Sequence, residues 1–295
     1  GVCNAIMALV NPGDEVIIPA PYWVSYPQMV KLAGGNPVII SAGIEQDFKI
    51  TAAQLEASIT PKTKMIILCS PSNPTGSVYT KAELDELAKV VTSHEDVFVL
   101  SDEIYEHINY IGKHASIAAC PNMKERTIIC NGVSKAYAMT GWRLGWVAAP
   151  EWIVKGLNKL QGQYTSGTSS VSQMAALAAY EGNQQYVEDF RKTFQRRRDL
   201  IVNLAKGIPG LEVNIPQGAF YLFPKCSSFF GKSNGKYTIN NSTDLAMYLL
   251  EEGHVATVGG DDFGSPDCFR MSYATSDDNI KEALQRIKDA LSKLK

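Results

Sequence analysis

Three polar segments of the 295-residue chain carry side chains that could take part in catalysis. Each follows an apolar run: Ser70–Gly76 (SPSNPTG), Ser101–Tyr105 (SDEIY) and Asn131–Gly145 (NGVSKAYAMTGWRLG). Because open α/β sheets bind ligands at the carboxyl ends of their strands, the three segments could meet at one site. Each is a weak signal alone. An Asn-Pro dipeptide is usually a turn, and a carboxylate after a strand is as often a helix cap. An isolated Lys135 or Arg143 would ordinarily be a solvated residue or an ion-pair partner.

Several common catalytic and metal-binding signatures are absent. The sequence contains no GxGxxG, GxxxxGK[ST] or GxSxG motif, which removes the main support for dinucleotide-binding, P-loop and hydrolase interpretations. The four histidines show no metal-ligand spacing, so we expect surface or loop positions for them and no bound metal. The six cysteines form no CxxC pair, and their scatter indicates reduced thiols in a cytosolic protein.

Composition places the chain among ordinary globular proteins. Hydrophobic residues make up 45% and charged residues 20% of the sequence, which excludes disorder, collagen-like repeats and disulfide-rich scaffolds. The net charge of −2 gives no reason to expect a nucleic-acid surface. No apolar run reaches the roughly 18 residues that a membrane helix needs. We therefore expect neither a nucleic-acid partner nor a membrane partner.

Strands and helices alternate through the first two-thirds of the chain. Capping boxes at Thr51–Gln54 and Thr80–Glu83 mark two helix starts. Apolar runs bounded by turn residues predict six strands: Glu15–Ile18, Pro37–Ile40, Met65–Cys69, Val97–Ser101, Thr127–Asn131 and Gly145–Ala149. Most of these runs are continuous rather than alternating, as in strands covered on both faces. The pattern predicts an α/β fold with a mostly parallel central sheet flanked by helices.

In the second half of the chain, consecutive helices replace the alternation of strands and helices. We predict helices at Glu151–Tyr164 and Ser170–Glu181, then a long connecting helix over residues 184–205. Three short strands follow, at Ala219–Phe223, Val255–Val258 and Phe269–Ser272. Two further helices are predicted at Thr243–Glu252 and Asp277–Leu294. We expect a large domain over residues 1–185 and a smaller C-terminal α+β domain over 186–295. Val2–Leu9 looks like the interior of a helix without an N-cap, so we expect residues upstream of Gly1.

The combination of segments is more specific than its parts. In this order they resemble the fold-type I pyridoxal phosphate enzymes, and most closely the class I aminotransferases of the aspartate aminotransferase family. The detail is most similar to the subgroup that acts on aspartate and, in some members, prephenate. Four further segments fit, so the match covers nearly the whole chain: Asn11–Val16 (NPGDEV), Pro19–Tyr26 (PAPYWVSY), Gly218–Tyr221 (GAFY) and Phe269–Ala274 (FRMSYA).

The resemblance implies pyridoxal 5′-phosphate as cofactor and a role for each of five residues around its ring. Lys135 would form the Schiff base and then move the substrate proton. Asp102 would face the pyridine nitrogen and keep it protonated, which strengthens the cofactor as an electron sink. Asn73 and Tyr105 would hydrogen-bond the 3′-oxygen, and Trp23 would stack on the ring. Lys135, Asp102 and Tyr105 are thus the implied catalytic residues.

Two arginines complete the implied site. Arg143 would hold the cofactor phosphate and Arg270 the substrate α-carboxylate, since a planar guanidinium binds such anions in bidentate fashion. Asn73 and Trp23 would also contact the substrate, and Ser134 is a weaker phosphate ligand. Family members carry a preceding segment with a second phosphate-binding turn, so we expect this chain to be part of a longer protein.

The implied activity is a ping-pong transfer of an amino group, with aspartate or glutamate as donor and a 2-oxo acid as acceptor. The resemblance also implies a homodimer with shared active sites. Two alternatives stay open at this point. One is another enzyme on the same scaffold, such as a carbon–sulfur lyase or a synthase. The other is a pyridoxal phosphate-sensing domain of a transcription regulator. Aspartate, prephenate and aromatic substrates are not separable from the sequence.

Overall fold

Apolar strands form the central layer of the larger part of the molecule. The computed structural model describes residues 1–295 and contains a six-stranded sheet. Its strands are β1 Glu15–Ala20, β2 Asn36–Ser41, β3 Thr63–Cys69, β4 Phe98–Asp102, β5 Thr127–Gly132 and β6 Gly145–Ala148. Their spatial order is β2-β1-β3-β4-β5-β6, and all neighbours are parallel except β6, which runs antiparallel to β5. The predicted mostly parallel sheet and its six strands are confirmed, with ends that differ by one or two residues.

Helices cover both faces of this sheet. The helices of the chain, of which α8, α9 and most of α7 belong to the C-terminal part, are α1 Val2–Leu9, α2 Ser25–Leu32, α3 Ala52–Ser58, α4 Lys81–Thr92, α5 Glu151–Tyr164, α6 Ser170–Glu181, α7 Gln185–Lys206, α8 Ser242–Gly253 and α9 Asp277–Leu291. Both predicted capping boxes are present, at the starts of α3 and α4. Separate apolar cores fill the two sides of the sheet, one beneath α1, α2 and α5 and the other beneath α3 and α4. The inner strands β1, β3, β4 and β5 are mostly buried on both faces, which explains their continuously apolar sequences.

A second, smaller sheet lies in the C-terminal third. Its strands are β7 Tyr221–Leu222, β8 Val258–Gly259 and β9 Phe269–Ser272, in the antiparallel order β7-β9-β8. Helices α7, α8 and α9 pack around a core of their own that includes Leu245, Phe269 and Ile287. No helix of the structure combines the length and the apolarity that crossing a membrane requires.

Two predicted strands of the small sheet are shorter than expected. The predicted strand at residues 219–223 shrinks to Tyr221–Leu222, because Ala219 has a left-handed φ of +54° that an extended strand cannot accommodate. The predicted strand at residues 255–258 starts only at Val258. His254 ends α8 with a φ of +53°, and the amide of Val255 bonds back to the carbonyl of Leu249 instead of to a strand.

Helix α7 joins the two parts of the molecule. Its first turn places Val187 in a cluster with Val133 and Ala176, next to the large sheet. Its last turns bury Ile201 and Ala205 in the small C-terminal core. The two separate cores support the division into residues 1–185 and 186–295, which we keep as a proposal.

Candidate active site

All the predicted site residues except Arg270 line one cavity of about 290 Å³ at the carboxyl end of the large sheet. Strands β3, β4 and β5 end side by side there, with Cys69 paired to Asp102 and Asp102 paired to Cys130. Seven predicted residues line the cavity: Trp23, Asn73, Asp102, Tyr105, Ser134, Lys135 and Arg143. Parallel strands with short connections thus gather residues that are more than 100 positions apart in the sequence.

Asp102 is a buried carboxylate with a short hydrogen bond on one oxygen. The hydroxyl of Tyr26 donates to Oδ2 at 2.6 Å, and the amide of Ile104 donates to Oδ1 at 3.3 Å. Burial raises the pKa of the Asp102 carboxyl, and the bonds from Tyr26 and Ile104 oppose that rise. Asp102 has no cationic partner within ion-pair distance. The protein therefore holds an acid here that a cationic group in the cavity would stabilise.

Lys135 projects into the same cavity from the loop that follows β5. Its Nζ lies 5.8 Å from the ring centroid of Tyr105 and 5.9 Å from that of Phe220, with no carboxylate within 4.0 Å. Desolvation by burial lowers the pKa of the Lys135 amine, the positive charges of Arg270 and Arg143 lower it further, and Asp102 opposes them. An amine with a lowered pKa is a better nucleophile and base at neutral pH.

Arg270 lies on β9 of the small sheet and does not line the cavity itself, but it is bonded to Asn73, which does. Its Nη1 donates to Asn73 Oδ1 at 2.8 Å, and its guanidinium carbon lies 4.7 Å from the ring of Tyr221 and 4.9 Å from that of Phe263. The hydroxyls of Tyr221 and Tyr105 are 3.0 Å apart. Asn73 is the one acceptor bonded to Arg270, so most of its five N–H donors are free for a ligand. The hydrogen bond to Asn73 therefore joins the small sheet to the wall of the cavity.

Arg143 and Ser134 lie at the more open side of the cavity. Arg143 is exposed and has a left-handed φ of +55° at the end of the turn Thr140–Trp142, where its Nη1 donates to the carbonyl of Thr140 at 3.1 Å. The hydroxyl of Thr140 donates to the carbonyl of Ser134 at 3.0 Å. Trp23 is half-buried, and its ring meets the ring of Tyr26 edge to face at 5.3 Å. Since a guanidinium has five N–H donors, most of those of Arg143 remain free for a ligand.

Sequence reasoning missed three residues that support the site: Tyr26, Tyr221 and Phe263. Tyr26 and Tyr221 lie inside segments that carried the resemblance, and Tyr26 follows Trp23 by three residues, which places the two on one side of a helical turn. The sequence carries no comparable signal for Phe263, which enters only through the folding of its loop against β9.

A cluster of Glu103, Glu106 and His114 lies outside the cavity, with one ligand atom of each within 4.8 Å of the others. The carboxylate of Glu103 already accepts bonds from the hydroxyls of Ser101 at 2.8 Å and Ser116 at 2.6 Å. His114 lies in a loop, as expected, but its side chain is largely buried against Glu103. The contacts within the cluster account for its geometry without a metal ion.

Comparison with known proteins decides which family these features belong to. The profile of the family "Aminotransferase class I and II" matches residues 2–287. The chain belongs to this family. It is 48% identical over 300 residues to a bifunctional aspartate aminotransferase and glutamate/aspartate-prephenate aminotransferase of Petunia hybrida, covering all of this chain and 62% of that protein. It is 49% identical over 287 residues to an aspartate/prephenate aminotransferase of Cereibacter sphaeroides, covering 96% of this chain and 72% of that one.

Solved structures agree with the family assignment. An aspartate aminotransferase structure from Rhizobium meliloti superposes with a TM-score of 0.96 at 46% identity, covering all of this chain and 74% of that one. A Thermus thermophilus aspartate aminotransferase with maleate gives a TM-score of 0.90 at 38% identity, covering 98% and 73%. The predicted fold-type I architecture is confirmed. The chain spans 62–72% of the length of the two curated relatives named above.

The cofactor of this family's aspartate-type enzymes is pyridoxal phosphate, and the residues present fit it. The fit rests on the donor set. A buried carboxylate without a cation, at Asp102, suits a protonated ring nitrogen, and the unpaired amine of Lys135 suits an aldehyde. The exposed guanidinium of Arg143 suits a phosphate. No group around the cavity contradicts this placement.

Proposed function

We propose that this chain carries the catalytic site of an aminotransferase that moves an amino group from aspartate or glutamate to a 2-oxo acid. The observation that carries the proposal is the convergence of Lys135 and Asp102 on one cavity, with Arg270 bonded to Asn73 at the cavity wall. An unpaired amine, a buried acid and a guanidinium fork are the groups that covalent attachment, ring protonation and carboxylate binding require. The names of the relatives favour amino transfer over the lyase, synthase and regulator alternatives.

We assign the cofactor to five residues. Asp102 would hold the proton on the ring nitrogen, and Trp23 would stack on the ring face. Asn73 and Tyr105 would bind the 3′-oxygen. Burial and the neighbouring Tyr221 raise the pKa of the Tyr105 phenol far above its usual range, so that it stays a neutral donor at all physiological pH. Lys135 would attach covalently to the aldehyde carbon.

The phosphate and the substrate fall to the arginines and their neighbours. Arg143 would bind the phosphate, assisted by Ser134 at the same side of the cavity. Arg270 would bind the substrate α-carboxylate with the N–H donors that Asn73 leaves free, and its partly buried position strengthens the pair. Asn73 and Trp23 line the cavity together with Lys135, and Asn73 is bonded to Arg270, so both would contact the substrate there.

The cofactor, once bound, supplies the electron sink that stabilises negative charge on the substrate Cα. Arg270 orients the substrate so that its Cα–H bond faces Lys135. Once released from the aldehyde carbon, the Lys135 Nζ would accept that proton and later donate it again, a task that its lowered pKa suits at neutral pH. The rings of Phe220 and Tyr105 exclude water from the amine.

We also propose a homodimer in the cytoplasm. Exposed apolar side chains concentrate on α5, α6 and the adjoining β6, where a second copy would bury them; they include Trp146, Trp152, Tyr164, Val171, Met174 and Leu177. Six free cysteines support a reducing compartment.

The test is an assay of the intact protein with aspartate and 2-oxoglutarate, in which formation of oxaloacetate is followed by a coupled dehydrogenase. We expect turnover by the wild type and none by Lys135→Ala. A panel of amino donors and 2-oxo acceptors then defines the substrate class. Borohydride reduction followed by peptide mapping should label Lys135, and labelling of another lysine would contradict the assignment.

A further inference from the structure

One backbone carbonyl beside the cavity accepts hydrogen bonds from two buried tyrosines. Tyr110 and Tyr273 both donate their hydroxyl protons to the carbonyl oxygen of Ala219, Tyr273 at 3.2 Å. The two hydroxyl oxygens lie 3.3 Å apart, and the residues are 9% and 0% exposed. Because a carbonyl oxygen has two lone pairs, the two phenols saturate it. Neither tyrosine lines the cavity, so an influence on the chemistry must pass through Ala219.

Ala219 needs such a restraint because its backbone is strained. Its φ of +54° lies in the left-handed region, where the Cβ of an L-residue crowds the following carbonyl. Ala219 is fully buried, and its amide donates to the carbonyl of Ile108 at 2.8 Å. A strained backbone of this kind persists only where its surroundings hold it, and it is often found at functional sites.

The strained turn decides where the next two rings point. The ring of Phe220 lies 5.9 Å from the amine of Lys135, and the ring of Tyr221 lies 4.7 Å from the guanidinium carbon of Arg270. The rings of Phe220 and Tyr221 contact each other, with centroids 4.7 Å apart. If Ala219 relaxed to an ordinary negative φ, both rings would swing away from these positions.

The two tyrosines come from different parts of the fold. Tyr110 lies in the loop after β4, and its amide donates to the carbonyl of Gln217 at 2.8 Å. Tyr273 follows β9, the strand of Arg270, and its amide donates to the carbonyl of Phe220 at 3.0 Å. The pair of phenols therefore ties a loop of the large sheet to the strand that carries Arg270.

We propose that Tyr110 and Tyr273 are positioning residues that hold the strained turn at Ala219, so that Tyr221 keeps Arg270 aligned for a substrate carboxylate. The inference rests on the proposed role of Arg270. Removing either hydroxyl takes away one of the two hydrogen bonds that hold the turn and lowers the affinity for the substrate carboxylate, while the groups that contact the cofactor remain in place.

The experiment compares Tyr110→Phe and Tyr273→Phe with Tyr248→Phe in the intact, cofactor-loaded protein. Tyr248 is a matched control, because it is fully buried and donates to the carbonyl of Ala290 at 2.7 Å in the C-terminal core. The probe is maleate, an unreactive dicarboxylate, titrated by the absorbance of the bound cofactor. We expect a roughly fivefold rise in maleate Kd and in the KM for aspartate in each test variant, as for one lost hydrogen bond. The cofactor Kd should stay within twofold, and Tyr248→Phe should match the wild type in every measurement.

A rescue variant separates positioning from general stability. Glycine adopts a positive φ without strain, so Ala219→Gly in the Tyr273→Phe background should return the maleate Kd to within twofold of the wild type. Unchanged maleate affinity in both test variants, or a glycine that does not restore it, would overturn the inference. A wild type that binds maleate but transfers no amino group would refute the proposed function while this comparison still stands. A wild type that binds no maleate would overturn both.

Discussion

The hydrogen bond from Tyr26 to Asp102 offers a sharp test of how the protein favours the charged form of its buried acid. Tyr26→Phe removes one hydroxyl and retains the ring that meets Trp23 edge to face. The bond is 2.6 Å long and buried at both ends, and its acceptor is charged. Bonds of that kind contribute about 1.5–3 kcal/mol, against about 0.5–1.5 kcal/mol for the neutral bond that Tyr248 makes.

Burial raises the pKa of the Asp102 carboxyl and the bond from Tyr26 lowers it, so loss of the bond should raise this pKa further. When the pKa of the Asp102 carboxyl is higher in the folded than in the unfolded state, the folded state binds the proton more tightly. The protein therefore loses stability as the pH rises from the unfolded pKa to the folded pKa of this carboxyl. The stability difference between wild type and Tyr26→Phe should therefore be largest near pH 8 and should shrink toward pH 4. Cofactor affinity at pH 8 should fall by about tenfold, which corresponds to about 1.4 kcal/mol.

Thermal unfolding of the apoprotein at several pH values and absorbance titration with pyridoxal phosphate would measure both effects. Tyr248→Phe should lose a similar or smaller amount of stability at every pH and keep its cofactor affinity. An equal stability loss for Tyr26→Phe at pH 5 and pH 8, together with unchanged cofactor binding, would refute the reasoning, because the bond would then act only as packing.

Three further predictions concern the charged residues of the cavity. Burial lowers the pKa of Lys135, so that more of its amine is unprotonated at pH 8. An acylating reagent should therefore modify Lys135 in the apoprotein faster than the exposed Lys159. Mass spectrometry of timed digests measures the two rates, and equal rates would contradict the prediction. Arg270→Lys should raise the KM for aspartate about a hundredfold while the cofactor Kd changes little, because the planar guanidinium is lost. Steady-state kinetics measure this, and a KM change below threefold would exclude binding of the substrate carboxylate by Arg270. Arg143→Gln should weaken pyridoxal phosphate binding at least tenfold but barely affect binding of pyridoxal, which lacks the phosphate. Parallel titrations measure both affinities, and an equal loss for the two compounds would contradict the assignment.

Local sequence patterns were sufficient for the large sheet. Six apolar runs and two capping boxes predicted six strands and two helix starts, and each was found within one or two residues. Such signals are local, because burial on both faces makes a strand continuously apolar and a cap acts within one turn. The small sheet was predicted less well. Its strands at 219–223 and 255–258 were shortened by left-handed backbones at Ala219 and His254, which side-chain type alone does not reveal.

The candidate site shows the same division. The family resemblance was enough to name Lys135, Asp102 and Asn73 as candidates, although each is a weak signal alone. The sequence did not reveal that Tyr26 bonds Asp102 or that Phe263 lies against Arg270, since these pairs are 76 and 7 residues apart with no shared local motif.

By itself, the sequence determined the α/β architecture, the family resemblance and the identities of the groups that could perform the chemistry. Only the tertiary structure decided their environment. It showed which carboxylate is buried without a cation, which amine has a lowered pKa, and which two phenols converge on one strained carbonyl. The physical reason is that desolvation and hydrogen-bond geometry depend on atoms brought together from distant parts of the chain, whereas local pattern registers only neighbours along it.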